Sequence, residues 1–206
     1  MKLFSYVVAR DFGFAPNPFY GFCTLATCKP KIREKAEVGD WIIGTGSFAQ
    51  RRGNFLVYAM CVTEVMTFNE YWNDPRFRHK KPNLRGSLKQ CYGDNIYFKS
   101  ETGHWHQQDS HHSFKGGEQN SSNLSHDTGV DRVLISDGHY YYWGGEGPEV
   151  PKKFLSYHGV DIRKRGMGHR CRFPPGMVND FIEWLDSLRT KGYAGEPLDW
   201  KRSSND

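Results

Sequence analysis

The sequence predicts an α+β fold: a small, mostly antiparallel sheet curled into a barrel, with flanking helices and an amphipathic helix near the C-terminal end. Three observations predict it. Short runs of β-branched and aromatic residues recur between glycine- and proline-rich turns. One run late in the chain repeats its apolar residues at helical spacing. Aromatic residues make up 15% of the 206 positions, which argues for a packed core because each ring buries a large area.

Taken in order, "LFSYVVAR" (3–10) reads as a first strand. "GFAPNPFYG" follows as a loop, since its prolines and glycines break regular structure. Pro30 suits the first turn of a short helix that "KIREKA" continues. "WIIGTGS" is a buried strand ending in glycines, and Phe55 to Met66 is nearly unbroken apolar residue, the mark of a strand covered on both sides. Residues 73–129 are irregular, with "GDNIYF" the one strand-like island. "RVLIS", then Asp-Gly, then "HYYYW" predicts a hairpin, because Asp-Gly accommodates the positive φ angles of a tight turn. Met177, Val178, Phe181, Ile182, Leu185 and Leu188 share one helical face. The expectation is one domain over 1–192 and a polar tail over 193–206, mobile over "EPLDWKRSSND" (196–206).

Composition excludes some classes. The sequence holds no apolar run long enough to span a membrane. The five cysteines are odd in number and form no CxxC pair, so they read as reduced thiols of a cytoplasmic protein. Cys23 and Cys28 could supply two zinc ligands, but no second pair completes a set. No phosphate-binding GxxxxGK[ST], GxGxxG, HExxH or GxSxG motif occurs. The expectation is therefore no metal and no cofactor.

The net charge of +5 is unevenly spread. Arg76, Arg78, Lys80, Lys81, Arg85 and Lys89 lie between Asp74 and Asp94 with no acid among them. A second basic segment, 152–172, contains Arg163, Lys164 and Arg165. Such segments can neutralise phosphates; the alternative is a solvated surface that keeps the protein soluble.

"HWHQQDSHHS" (104–113) holds four of the nine histidines. Asp109 and His111 are the candidate acid–base pair, since an aspartate can fix an imidazole tautomer and a histidine transfers protons near neutrality. His112, Asn123 and Asp127 are candidate base-reading residues, because amides and carboxylates match the hydrogen-bonding edge of a base. Asn17, Phe19 and Tyr20 of "NPFY", with Trp41, are candidates for stacking on one. The alternative readings are a polar loop for the first cluster, a cap or turn for Asp127, and core for Trp41.

The unit "AEVGDWIIGTGS" followed by "FLVYAMCVTEVMTFNEYW" resembles the barrel entry of the PUA-like superfamily, which includes the ASCH and EVE domains. That resemblance implies a small barrel whose cleft accepts a nucleobase. Across residues 1–190, "SYVVARDFGFAPNPFYGFCTLATCKPKIR", "DNIYF", "DSHHS", "HDTGVDRVLIS" and "YYWGG" resemble the bacterial and phage family called nucleotide modification associated domain 2. This second resemblance implies a place in systems that make or handle modified DNA bases. It implies as partners a nucleic acid or nucleotide, with proteins of a DNA-modification or phage-defence system. Two functions remain open: a module that binds a modified base, nucleotide or nucleic acid, and an enzyme acting on a nucleotide or nucleobase by Asp/His acid–base chemistry.

Overall fold

The computed structural model describes residues 1–202. In chain order its strands are β1 (Leu3–Val7), β2 (Phe22–Leu25), β3 (Trp41–Thr45), β4 (Leu56–Cys61), β5 (Glu64–Met66), β6 (Tyr97–Lys99), β7 (Trp105–Gln107), β8 (Val133–Asp137), β9 (Tyr140–Tyr142), β10 (His169–Arg170) and β11 (Gly192–Tyr193). The α-helices are α1 (Pro30–Lys35), α2 (Phe68–Asn73), α3 (Leu88–Cys91), α4 (Ser121–Thr128), α5 (Lys152–Leu155) and α6 (Met177–Ser187). The α+β class holds. The chain divides into two compact units that interleave in sequence.

The first unit takes Met1–Asp11, Ala36–Val62 and the chain from Gly138 on. Its sheet runs β10-β1-β3-β4-β9-β11. The β1–β3 and β9–β11 pairs are parallel, the rest antiparallel. The expected barrel needs correction. β10 and β11 are edges, each with one neighbour, so the sheet is open among the described residues. Each edge is only two residues long, too short to carry the ladder that closure requires. The predicted C-terminal helix is α6. Its Met177, Phe181 and Leu185 are buried against Trp41, Ile43, Leu56 and Phe154, and Val178, Ile182 and Leu188 pack at the margin. Burying each of the three contributes roughly 1.5–3 kcal/mol.

Part of the segment read as a polar tail is hydrogen-bonded to the first unit. Tyr193 pairs with Tyr142, and Asp11 and Asp199 exchange backbone and side-chain hydrogen bonds. Residues 203–206 of that tail lie outside the described residues.

The second unit takes Phe12–Lys35 and Thr63–Asp137. It holds an antiparallel sheet β2-β8-β5, the hairpin β6–β7 and α1 to α4. Phe14, Phe68, Tyr71, Phe77, Tyr97 and Ile135 are among its core residues. Two sequence readings change here. The long strand over 55–66 is two strands, because the Val62 N–H turns to Asp40 while the Thr63 N–H turns to Ile135. The Asp137-Gly138 turn exists, with Gly138 at φ +62°, but its flanking strands do not pair. β8 pairs with β2 and β5, whereas β9 pairs with β4 and β11.

Inside the second unit lies a buried polar network. Lys80 Nζ donates to Asn17 Oδ1 (2.6 Å), to the Asn17 and Phe22 carbonyls, and to Thr24 Oγ1. Thr24 and Tyr71 donate to the two oxygens of Asp94 at 2.6 and 2.8 Å. Burial pulls the Lys80 ammonium down to about 8 and pushes the Asp94 carboxyl up, each partly offset by the other's charge. Lys80, expected at a phosphate, therefore ties the "NPFY" loop to the core. Removing one partner leaves a buried charge uncompensated, so Lys80→Ala should lower the unfolding free energy by about 3–5 kcal/mol. Urea denaturation reads this directly, and a loss below about 1 kcal/mol, the level of an exposed ion pair, would remove the network from the account.

Candidate active site

The site belongs to the second unit and is assembled from three segments. β2 runs into a turn, Ala26–Lys29, that starts α1. Cys28 and Lys29 in this turn have φ of +58° and +45°, a left-handed conformation that costs a non-glycine residue of order 1–3 kcal/mol. Surrounding bonds impose it: the Cys28 N–H donates to Asp127 Oδ1 (2.7 Å), and Arg33 Nε donates to the Cys28 carbonyl (2.9 Å).

The second segment follows the β6–β7 hairpin. Its "DSHHS" loop is stitched by serines: the Ser110 N–H donates to Ser113 Oγ, Ser113 Oγ donates to the Gln108 carbonyl, and the His112 N–H donates to Ser110 Oγ. The third is α4, whose N-cap Asn120 accepts from the Asn123 N–H. Asn123 Nδ2 donates to the His112 carbonyl (3.0 Å), and Asp127 lies fully buried in the last turn.

These segments bring three side chains into line. Cys28 Sγ lies 3.8 Å from His112 Nε2, and His112 Nδ1 lies 3.2 Å from Asp127 Oδ2. Tyr97 donates to the same carboxylate oxygen at 2.9 Å. Cys28 is half-buried, and the His112 side chain is 16% exposed. Burial opposes charge on His112, but hydrogen bonds to Asp127 and Cys28 and the Asp127 charge outweigh it, so its pKa rises to about 9. Burial and the adjacent carboxylate also push the Tyr97 phenol above its ordinary range. A sulfur, an imidazole and a carboxylate in sequence have the geometry that can serve as a nucleophile, a proton carrier and a group that orients the carrier.

His111 has the opposite electrostatics. Burial first, and the charge of His112 second, lower its pKa. Its ring is exposed on one side and packs on Phe12, Phe14 and Tyr92 at centroid distances of 4.9–5.2 Å, while Phe12 and Tyr92 stack on each other.

The candidates named from sequence are thus partly brought together. His112, Asp127 and Asn123 meet, and His111 stands beside them. The carboxylate at the histidine is Asp127 and not Asp109: the Asp109 carboxylate lies against Gly117 and makes no hydrogen bond among the described residues. Asn17 and Phe19 are buried, and Trp41 is in the core of the first unit, so none offers a face to solvent. Tyr20 is exposed near His79. Arg76 is engaged by Asp74 and Glu64, and Lys81 sits 3.7 Å from the centre of the Trp72 ring. Arg78 and Arg85 are exposed. Tyr97 and Arg33 were not among the candidates, and Cys28 was weighed only as a possible zinc ligand. The strand–turn–helix pattern of "FCTLATCKPKIREK" was the available signal for Cys28. Among the described residues no three His, Cys, Asp or Glu side chains gather as metal ligands.

The raised His112 pKa fixes the sign of a pH effect. The folded state holds the proton more tightly than the unfolded state, so the contribution is complete below about 6.5 and is lost as pH rises through about 9. His112→Asn should therefore cost most near pH 6, roughly 1–3 kcal/mol, and progressively less toward pH 10. Chemical denaturation at several pH values measures it, and a cost independent of pH would contradict the assignment.

A family model described as nucleotide modification associated domain 2 matches residues 1–204. Comparisons with curated proteins and with solved structures find no match. Among the described residues no helix is long and apolar enough to cross a membrane.

Proposed function

The chain belongs to the nucleotide modification associated domain 2 family, and from that premise we propose that it is a thiol-dependent enzyme acting on a nucleotide or nucleobase. The reading is carried by the unbroken contact path from Cys28 Sγ through the His112 ring to Asp127. Family membership supplies the nucleotide context, and the path supplies the chemistry.

In this reading Cys28 is the nucleophile, His112 the acid and base, and Asp127 a positioning residue. The attacking species in this reading is the thiolate, which is the nucleophilic form of a cysteine, with His112 carrying the proton. The sulfur attacks an electrophilic carbon carried by the nucleotide, such as an amide or ester carbonyl. A C–S bond forms and the carbonyl π pair moves to oxygen. Collapse of that adduct breaks the bond to the leaving amine or alcohol, which takes the proton from His112 Nε2. Water then attacks the thioester, His112 receives its proton, and the acid departs as the thiolate is restored. Asp127 holds the proton on Nδ1 throughout, so Nε2 is the atom facing sulfur. Asn123 fixes the His112 backbone.

A second reading, binding of a modified base without turnover, is favoured by the ring cluster of Phe12, Tyr92 and exposed His111. Base–aromatic stacking contributes roughly 1–3 kcal/mol per base. The same shelf serves the enzyme reading by seating the base on the His112 side of the path, since Phe14 packs on both His111 and His112.

Nucleosides and nucleotides bearing amide- or ester-substituted bases separate the two readings. Enzymatic action gives product and a transient mass increase on Cys28, and Cys28→Ala lowers turnover by about 10³-fold or more. Saturable binding with no product, unchanged in Cys28→Ala, would establish the binding module instead.

A further inference from the structure

The first unit carries a basic surface that the triad does not use. Asp161 is its pivot. The two carboxylate oxygens accept from Arg163 Nε (2.9 Å) and Nη2 (2.7 Å), and Arg165 Nη2 lies 3.4 Å away. The Asp161 carbonyl accepts from Arg170 Nη1 at 2.6 Å. Arg163 is only 4% exposed and donates onward to Asn54 Oδ1 and the Gly53 carbonyl. It is spent on the fold, which corrects its expected place at a phosphate, and it balances the Asp161 charge internally. Asp161 is the one acid between Pro151 and Pro174. Arg165 shares that carboxylate from an exposed position, and Lys164, Arg170 and Arg172 are left with no carboxylate of that segment to balance them.

These cations line two concavities. One, of about 280 Å³, is bounded by Asp161, Arg163, Lys164, Arg165 and Arg170. The other, of about 320 Å³, is bounded by Lys164, His169, Arg170, Cys171 and Arg172. They share Lys164 and Arg170, so together they offer a longer cationic track than one phosphate needs. Between Arg165 and His169 the chain rises to a tip. Gly166 and Gly168 have φ of +72° and +84°, and the Met167 side chain between them is 96% exposed. An apolar side chain raised on a glycine-flanked tip among cations matches the wedge that enters between base steps while flanking charges hold phosphates.

We propose that Lys164–Arg172 is a docking loop for a nucleic-acid strand, in which Lys164, Arg165, Arg170 and Arg172 hold successive phosphates and Met167 inserts between bases. The assignment does not depend on the triad. A free mononucleotide would occupy one concavity and leave both the second and Met167 unused. The continuous track therefore names a phosphodiester polymer as the ligand.

The test is fluorescence anisotropy of a labelled DNA duplex with the full chain across a salt series. Four phosphate contacts predict a log–log salt slope of about −3.6, and the Arg165→Ala/Arg172→Ala variant should bring it to about −1.8. Both residues are exposed, so thermal melting should show the variant folded. Met167→Ala should weaken duplex binding about tenfold, roughly 1.4 kcal/mol, while leaving the slope unchanged. No binding at about 50 mM salt, or an unchanged slope in the double variant, would overturn the docking loop. Unaltered affinity in Met167→Ala would overturn the wedge. Inorganic pyrophosphate competing as well as the duplex, per mole, would reduce the track to a small-anion site and overturn the polymer assignment.

Discussion

The guanidinium of Arg33 is the constraint on which the geometry of the second unit's candidate site depends. It is fully buried on α1, yet each nitrogen has a partner: Nε on the Cys28 carbonyl, Nη1 on those of Val130 and Arg132, Nη2 on that of Asp127. Arg132 Nε returns a bond to the Arg33 carbonyl. Four of the five coplanar donors thus weld the turn before α1 to the end of α4 and the residues after it, a task for which a lysine has the wrong geometry. Burial lowers the Arg33 pKa, and the Asp127 carboxylate 4.0 Å away opposes that shift. A charge so placed is tolerable because four hydrogen bonds and the nearby Asp127 carboxylate compensate its burial.

With its backbone pinned by Arg33, Asp127 is already aligned before any ligand arrives. One oxygen takes the Cys28 N–H, and the other takes Tyr97 and His112. The carboxylate therefore does two jobs: it holds Cys28 in its left-handed conformation and charges the imidazole next to the sulfur. The same environment splits two adjacent histidines. His112 faces a carboxylate and rises to about 9, whereas His111 faces rings and a neighbouring cation and falls. One dipeptide thus holds a ring that keeps its proton more tightly and a ring that keeps it less tightly than a free imidazole.

What was legible from sequence was the part governed by local periodicity. The α6 stripe, the short strands and the α+β class follow from patterns that adjacent residues settle among themselves. The pairing of β8 and β9 was not legible, because the Asp137-Gly138 turn has correct local chemistry while both flanking strands find other partners. Arg33 sits in "KIREKA", where it looks like any solvated helix residue, and Lys80 sits among basic residues that look destined for phosphate. Nothing local distinguishes a buried cation from an exposed one; the carbonyls that satisfy it come from distant segments. The polar cluster at 104–113 was read from sequence as a candidate site, and a carboxylate partner for its histidines was sought within the loop, at Asp109. Asp127 supplies it from α4, across a separation that spacing does not encode.

The central claim is that Asp127 holds His112 as a charged partner for Cys28. Isotope-detected NMR titration of the His112 ring in the intact protein tests it most directly. The account predicts a midpoint near 9, with the proton retained on Nδ1, and a return toward 6.5 in Asp127→Asn. A wild-type midpoint at or below 6.5, unmoved by that substitution, would contradict it.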